Sequence, residues 1–398
     1  MHVAFWSPAW PLEKYPNGII THVHAMKLEL ERRGHRVSVF TATLDDSGRG
    51  DGVFPVQRSR WDNLRDRMSR VRGEWTSFGL STAIAAAIAR EHRRNPIDII
   101  EMEESFGWCA EVQQRTALPM VVKLHGPAFL TLMEGERVTP FGREKVAREG
   151  RALARCHTIV SPSQANLRRT IERYGLADKD TQVIVNPIAM EESGPVWDLS
   201  GCERRTVVFV GRFDLHKGAD VVLRAMLSVL QTYPDARLVF VGPDKGLPAP
   251  GGGTQRFAAY RDALFPPEAR ARIDFRGRLP HAELGALRAA AMVTVVASRW
   301  ESQCYTLLEA MAQGCPVIST DAGACPEIVT HGKTGLIARS EDPDAFAAQI
   351  CAVFREPDAA AVMGRAAREH VRQHFSATTV VDAMLERFQR TIAAHRAR

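Results

Sequence analysis

The sequence has no CxxC pair, no long apolar run and no basic start leading into an apolar core. Its seven cysteines, at positions 109, 156, 202, 304, 315, 325 and 351, are scattered and odd in number. That excludes a disulfide framework and a structural zinc site, and points to a reducing, cytoplasmic compartment. The longest bland apolar stretch, Ala83 to Ala89, falls far short of the ~20 residues that a membrane span needs. The opening MHVAFWSPAW reads as a buried strand over His2 to Trp6, so no signal peptide is expected.

What is present describes a soluble globular chain. It has 398 residues, 45% of them apolar and 25% charged, enough for two domains of roughly 150–200 residues. The net charge of +6 favours anionic partners: nucleotide phosphates, acidic lipid headgroups or nucleic acid. In the first half, MHVAFWSP is a strand, Thr21 to Arg33 a helix ended by Gly34, and HRVSVFTA the next strand. IDIIEM, PMVVKLHG, HTIVSPS and TQVIVNP continue the alternation, each a β-branched run with helical sequence between. The pattern lapses from Ile188 to Arg205 into a linker rich in Gly, Pro, Ser and charge. It then restarts with TVVFVGR, ADVVLRAMLSVLQTY, ARLVFVGPD, MVTVVAS, CPVIST and GLIAR. The expected fold is α/β, with two Rossmann-like domains in tandem over residues 1–194 and 195–376, each built on a parallel sheet. A last helix, about 377–398, is expected to pack back onto the first domain. Open sheets of this kind bind ligands at the carboxyl ends of their strands, so functional residues should follow strands and line a cleft between the domains.

Several residues do follow strands. Gly18, after Asn17 in YPNGIITHVHAM, would let helix N-terminal amides approach a phosphate, or would simply make a βα turn. The loop GRFDLHKG (211–218) brings Arg212 and Lys217 together, two cations suited to a diphosphate, with a solvated basic loop as the plain alternative. His125 ends the strand in VVKLHGP, where a polar group at a reacting centre or a structural histidine would sit. RWESQCYTLLEAMAQG places Glu301 and Glu309 eight positions apart. On one continuous helix that is ~12 Å along the axis, whereas a retaining glycosidase pair needs ~5–5.5 Å between carboxyls. The spacing suits contacts strung along an elongated ligand instead of an acid and a nucleophile. Asp342-Pro343-Asp344 matches a metal-binding D-x-D, yet acids and Pro also mark a helix start, and no metal is expected. Asp45-Asp46 has no evident third ligand. Finally, Trp61, Leu64, Met68, Val71 and Trp75 fall on helical spacing among Arg60, Arg65, Arg67, Arg70 and Arg72. Three readings stay open for this 58–75 segment: contact with an anionic membrane, recognition of an acidic acceptor, or an apolar stripe packed on its own domain.

Taken together these segments resemble the retaining glycosyltransferase family 4 (group 1), whose fold is named GT-B. The likeness runs from PNGIITHVHAMKLELERRGHRVSVFT through GRFDLHKG to ESQCYTLLEAMAQGCPVIST and PEIVTHGKTGLI. The resemblance implies an N-terminal acceptor domain, a C-terminal donor domain and a nucleoside-diphosphate sugar as the donor substrate, with UDP favoured over GDP. It also implies roles. Gly18 would offer its amide to the donor's distal phosphate, and Arg212 and Lys217 would grip the diphosphate. Glu309 would accept from the ribose hydroxyls and Glu301 from the transferred sugar. Gln303, Cys304, Tyr305 and Thr306 would cover sugar and phosphate with their amides, and His125 would line the reacting centre. Ser302 and Cys304 stand where many relatives have glycine, and Asn186-Pro187 where Asn-Gly is common, so the sugar pocket is expected to differ in shape.

The expected reaction is retaining transfer of a hexose to a hydroxyl of a glycan, glycolipid or lipid-linked acceptor, without cofactor or metal. A place in cell-surface polysaccharide synthesis, peripheral to the inner face of a membrane, goes with that reading. A nucleotide-sugar epimerase of the same fold and a non-catalytic nucleotide-sugar-binding protein are the alternatives. Nucleic-acid binding is not expected, since no recognised module accompanies the charge.

Overall fold

The alternation of β-branched runs and helices is realised as two separate parallel sheets, in a computed structural model that describes residues 1–15, 17–71, 78–132, 137–190, 195–249 and 251–397. The chain divides into one unit of Met1–Ala189 with Phe375–Arg398 and another of Met190–His374.

In the first unit the strands are β1 (His2–Trp10), β2 (Arg36–Leu44), β3 (Val53–Pro55), β4 (Ile99–Glu103), β5 (Met120–Lys123), β6 (Thr158–Ser161) and β7 (Asp180–Val183). Their spatial order is β3-β2-β1-β4-β5-β6-β7. Neighbouring residues on a strand point to opposite faces. Phe5, Val39 and Val121 therefore pack on Ile20, Met26 and Leu30 of the Gly18–Arg32 helix. Trp6, Phe40 and Val122 pack on Ile84, Ile88 and Leu153 on the other side. Both faces are covered, which is why the strands read as unbroken apolar runs. The C-terminal helix, Ala377–Arg396, adds Val380, Met384 and Phe388 to the first of these cores. Its buried Arg387 reaches Asp180, with Nη1 at 2.9 Å from Oδ1. Strand order reverses at β1 and β4, so this sheet's crevice opens where those two strands end.

The second unit holds β8 (Glu203–Val210), β9 (Arg237–Val241), β10 (Leu247–Pro248), β11 (Thr254–Gln255), β12 (Ile273–Gly277), β13 (Ala291–Val296), β14 (Val317–Thr320) and β15 (Leu336–Ala338). β10 and β11 form a small antiparallel pair, and the rest make a sheet in the order β12-β9-β8-β13-β14-β15. β12 and β3 were not among the strands expected from sequence. Neither carries a continuous apolar run: β3 is only VFP, and β12, IDFRG, is interrupted by Asp274 and Arg276. In this sheet the reversal falls between β8 and β13. Those are the strands that run into the GRFDLHKG loop and into the segment containing Glu301.

Candidate functional site

The two loops meet because β8 and β13 are adjacent. After β8, Asp214 organises its own loop by accepting from Arg212 Nε at 2.5 Å and from the Lys217 amide at 2.9 Å. Gly218 closes the loop in the left-handed region (φ 70°) and caps the helix Ala219–Thr232. A Cβ at Gly218 would lie 1.9 Å from the carbonyl oxygen of Ala297, just past β13, so only glycine permits this approach. The loops are joined a second time by Arg299, whose amide donates to His216 O at 2.9 Å and whose guanidinium holds both Asp220 oxygens at 2.9 Å. Across this junction Lys217 Nζ donates to Glu301 Oε1 at 2.6 Å. The Glu301 backbone is pinned from the far side as well. Its carbonyl accepts from Ala324 at 2.9 Å, and a Cβ at Gly323 would come within 2.3 Å of the same oxygen.

Burial alone would push the Glu301 carboxyl up, but the ammonium of Lys217 beside it holds it below the usual range. Burial likewise opposes the charge of Lys217, and Glu301 reverses that, leaving the lysine above its ordinary value. Both groups are thus charged at neutral pH. A carboxylate committed to a lysine in this way is a poor proton donor.

Glu301 precedes the helix Tyr305–Ala312, and Glu309 lies within it, so the eight-residue spacing is not a straight helical ruler. Cys304, buried at 2% exposure, is the N-cap and makes no side-chain capping bond, so the first-turn amides are left to other partners. Gln303 is buried beside it, while Tyr305 and Thr306 are half-buried. Leu307, Leu308, Ala310 and Met311 turn into the core. Glu309 Oε2 accepts from Arg288 Nη2 at 2.5 Å, and the arginine side chain is 2% exposed. The structure therefore brings Arg212, Lys217, Glu301 and the 303–306 segment to one strand junction, with Glu309 held by Arg288. Asp214, Arg288 and Arg299 belong to this arrangement and were not singled out from sequence.

Gly18 and His125 lie in the first unit. Gly18 opens its helix behind Asn17, whose side chain accepts from Ile19 N at 2.8 Å. His125 follows β5, and Glu104 accepts from the amides of His125 and Gly126 at 2.9 and 2.7 Å. Its ring meets that of His22 edge to face at 5.1 Å, and His22 Nε2 lies 2.5 Å from Glu101 Oε1. Burial, then His22 and Lys123, hold the His125 imidazole well below its usual pKa, so it is neutral at pH 7. Fully buried Lys123 donates to Ile184 O and is itself brought down to about 7 by burial.

Sequence reasoning overlooked the carboxylates that surround this turn. Glu103 is raised to about 8 by burial and the Glu104 charge, and Glu149 to about 8 by the same two causes. Glu149 accepts from Ala128 N at 2.7 Å. The acid run EMEE inside an apolar stretch was the available signal. A carboxyl raised in the folded state adds stability that is complete below the unfolded value near 4.5 and disappears as pH rises through 8. The slope is about 1.4 kcal/mol per pH unit per group. Thermal unfolding is therefore expected to show Tm falling between pH 5 and pH 9, with a shallower fall in Glu103→Gln. An unchanged slope in that variant would contradict the assignment.

Along the helix Arg60–Val71 the described side chains of the apolar stripe, Trp61, Leu64 and Met68, face outward instead of packing on their own unit. Trp61 is 75% exposed, and Leu64 and Met68 are exposed too, while Asp62 and Asp66 are buried. The cause is local bonding: Asp62 accepts from Ser59 N at 2.8 Å and Asp66 from Gly79 N at 2.7 Å, which turns the acids inward. Arg72 and Trp75 of that segment lie outside the described residues. Among the described residues no helix is long and apolar enough to cross a membrane. Asp342 caps the helix Pro343–Arg355 by accepting from Asp344 N and Ala345 N, and Asp45 accepts from Ser47 N in a tight turn.

Residues 16–192 match the family described as Glycosyltransferase Family 4, and residues 200–370 match Glycosyl transferases group 1. The putative glycosyltransferase YtcC of Bacillus subtilis (strain 168) is 28% identical over 311 residues, covering 73% of this chain and 72% of the relative. A D-inositol 3-phosphate glycosyltransferase of Saccharomonospora viridis is 26% identical over 403 residues, 97% of this chain and 92% of the relative. Among solved structures, sucrose-phosphate synthase from Thermosynechococcus elongatus superposes with a TM-score of 0.74 at 19% identity, covering 99% of both chains. Anabaena Alr3699/HepE in complex with UDP-glucose gives 0.69 at 18% identity, covering 98% of this chain and 99% of that one. These likenesses identify the two-sheet architecture as GT-B.

Proposed function

This chain belongs to the group 1, family 4 glycosyltransferases, and from that premise we propose that it moves a hexose from a UDP-sugar, with retention, to a hydroxyl of a glycan or lipid-linked acceptor. The observation that carries the proposal is the Lys217–Glu301 contact at the β8–β13 junction, with Arg212 tied to the same loop through Asp214. UDP is favoured because Alr3699/HepE is described in complex with UDP and with UDP-glucose.

In this reading Arg212, Lys217 and the first amides of the Tyr305–Ala312 helix stabilise the negative charge that develops as the diphosphate leaves. Those groups supply the neutralisation for which a metal would otherwise be used. Glu301, ionised and held by Lys217, accepts from sugar hydroxyls and is unsuited to attack the anomeric carbon. The leaving phosphate takes the acceptor's proton on the face it departs from, which gives retention without a protein nucleophile. Neutral His125 lines the acceptor side as a hydrogen-bonding group, and the Gly18 amide meets the distal phosphate. Incubation with UDP-glucose and UDP-galactose, with and without glycan acceptors, tests this. An α-linked product that keeps the donor's anomeric configuration by NMR supports it. Epimerised sugar formed without acceptor would overturn it.

The exposed Trp61, Leu64 and Met68, with Arg60 and Arg67 on the same helix, support peripheral contact with an anionic membrane at which a lipid-linked acceptor would be met. The Trp61→Ser/Met68→Ser double variant is expected to lose most co-sedimentation with anionic vesicles while keeping its Tm. Full retention on the vesicles would remove this helix from the account.

A further inference from the structure

The turn after His125 leads into a groove of the first unit with a volume of about 1000 Å³, bordered by the helices Pro140–Arg155 and Gln164–Tyr174. Among the described residues Arg137, Arg143, Arg151, Arg169 and Arg173 line it, against one lining carboxylate, Glu172. The floor is apolar. Phe129 and Val146 are buried, and Phe129 meets Tyr174 edge-on at 5.3 Å. Gly150 leaves space for that ring, since a Cβ there would come within 2.5 Å of it.

Two of the arginines are oriented by neutral groups: Arg137 donates to Phe129 O at 3.0 Å and Arg143 to Val138 O. A guanidinium fixed by a carbonyl keeps its charge, whereas Arg151 shares its charge with Glu144 at 2.8 Å. The cations are also spread out. Arg143 and Arg151 are separated by ~12 Å along their helix, and Arg169 and Arg173 by ~6 Å along theirs. One phosphate cannot engage such a row, but a chain with repeated anionic groups can, and guanidinium is the side chain best matched to phosphate oxygens.

The position of the groove links it to the reaction. Phe129 lies four residues beyond His125, in a cluster with Ala128 and Val146, and Glu149 on the Pro140–Arg155 helix accepts from Ala128 N at 2.7 Å. The groove wall and the His125 turn are therefore tied to each other within the first unit.

We propose that this groove binds the acceptor, and that the acceptor is a glycan chain bearing phosphate groups. The arginines hold the phosphates, and the apolar floor takes the C–H faces of the sugars. This rests on the transferase reading above, so the experiment separates the two. Calorimetry with inorganic tripolyphosphate is run on the full chain in saturating UDP, which occupies the donor's diphosphate site, and repeated on Arg143→Ala/Arg169→Ala/Arg173→Ala. All three arginines are exposed, so the variant is expected to keep its Tm. The expected result is salt-sensitive binding by the parent that is at least tenfold weaker in the variant, with UDP binding equal in both. No tripolyphosphate binding, or equal binding by parent and variant, overturns the groove. Phosphatidylglycerol vesicles that sediment the parent but not the variant, with no tripolyphosphate binding, would make it a membrane contact and also overturn it. Failure of both chains to bind UDP would count against the donor reading instead.

Discussion

Lys217→Ala is expected to lower kcat about a thousandfold or more. Removing one preorganised donor from a developing oxyanion typically costs 10²–10³ in rate, and here the donor carries a full charge. Its ammonium stands 2.6 Å from Glu301, so the substitution also leaves a buried carboxylate without its partner. Breaking a buried pair costs ~3–5 kcal/mol, but a quarter of the Lys217 side chain is exposed, 25%, so the loss of stability should fall below that range. Steady-state kinetics together with a melting curve distinguish the two effects. Near-normal turnover in a folded Lys217→Ala protein would remove the lysine from the mechanism.

For Glu309→Ala the expected change is in donor affinity. If this carboxylate accepts from ribose hydroxyls, its loss removes charge-assisted hydrogen bonds worth ~1.5–3 kcal/mol, or roughly 10–100-fold in donor KM, with kcat little altered. The same substitution strands Arg288, whose side chain is 2% exposed. An uncompensated buried cation costs ~3 kcal/mol or more, which for a unit of this size lowers Tm by roughly 6–12 °C. Glu309→Gln should recover much of the Tm, because an amide oxygen still accepts from Arg288, but less of the KM. A Tm loss with unchanged KM would make Glu309 only the counter-ion of Arg288.

These two variants also show where the sequence was legible. GRFDLHKG and the segment around Glu301 each announced themselves by following an apolar strand. That they face one another depends on β8 lying beside β13, across 84 residues of chain, and no local pattern states a strand order. Arg288 was invisible for another reason. In HAELGALRAA an arginine reads as the solvated side of a helix, and only the folded unit shows it buried and paired with Glu309.

The carboxylates around His125 were hidden for different reasons: Glu103 and Glu104 follow IDIIEM at the end of a strand, and Glu149 reads as an ordinary acid of the Pro140–Arg155 helix. Glu104 and Glu149 earn their burial by accepting from the amides of a turn whose shape appears only in the folded unit. The 58–75 segment was readable as an amphipathic helix but not for which face turns outward. Asp62 and Asp66 decide that by bonding to Ser59 and Gly79. The strands β3 and β12 escaped because VFP is three residues long and ends on proline, and IDFRG is broken by Asp274 and Arg276, whereas the other edges β7 and β15 overlap the longer runs TQVIVNP and GLIAR.

The central claim, a UDP-sugar held at the β8–β13 junction, is tested most directly by thermal unfolding with UDP-, GDP- and ADP-sugars in parallel. A ligand at a hundred times its Kd stabilises the folded state by about 2.7 kcal/mol, a shift easily read as a rise in Tm. The account predicts that UDP-sugars raise Tm in the parent, that GDP- and ADP-sugars do so weakly, and that Lys217→Ala and Glu309→Ala diminish the rise. A shift confined to GDP- or ADP-sugars, or a UDP-sugar shift untouched by both substitutions, would contradict it.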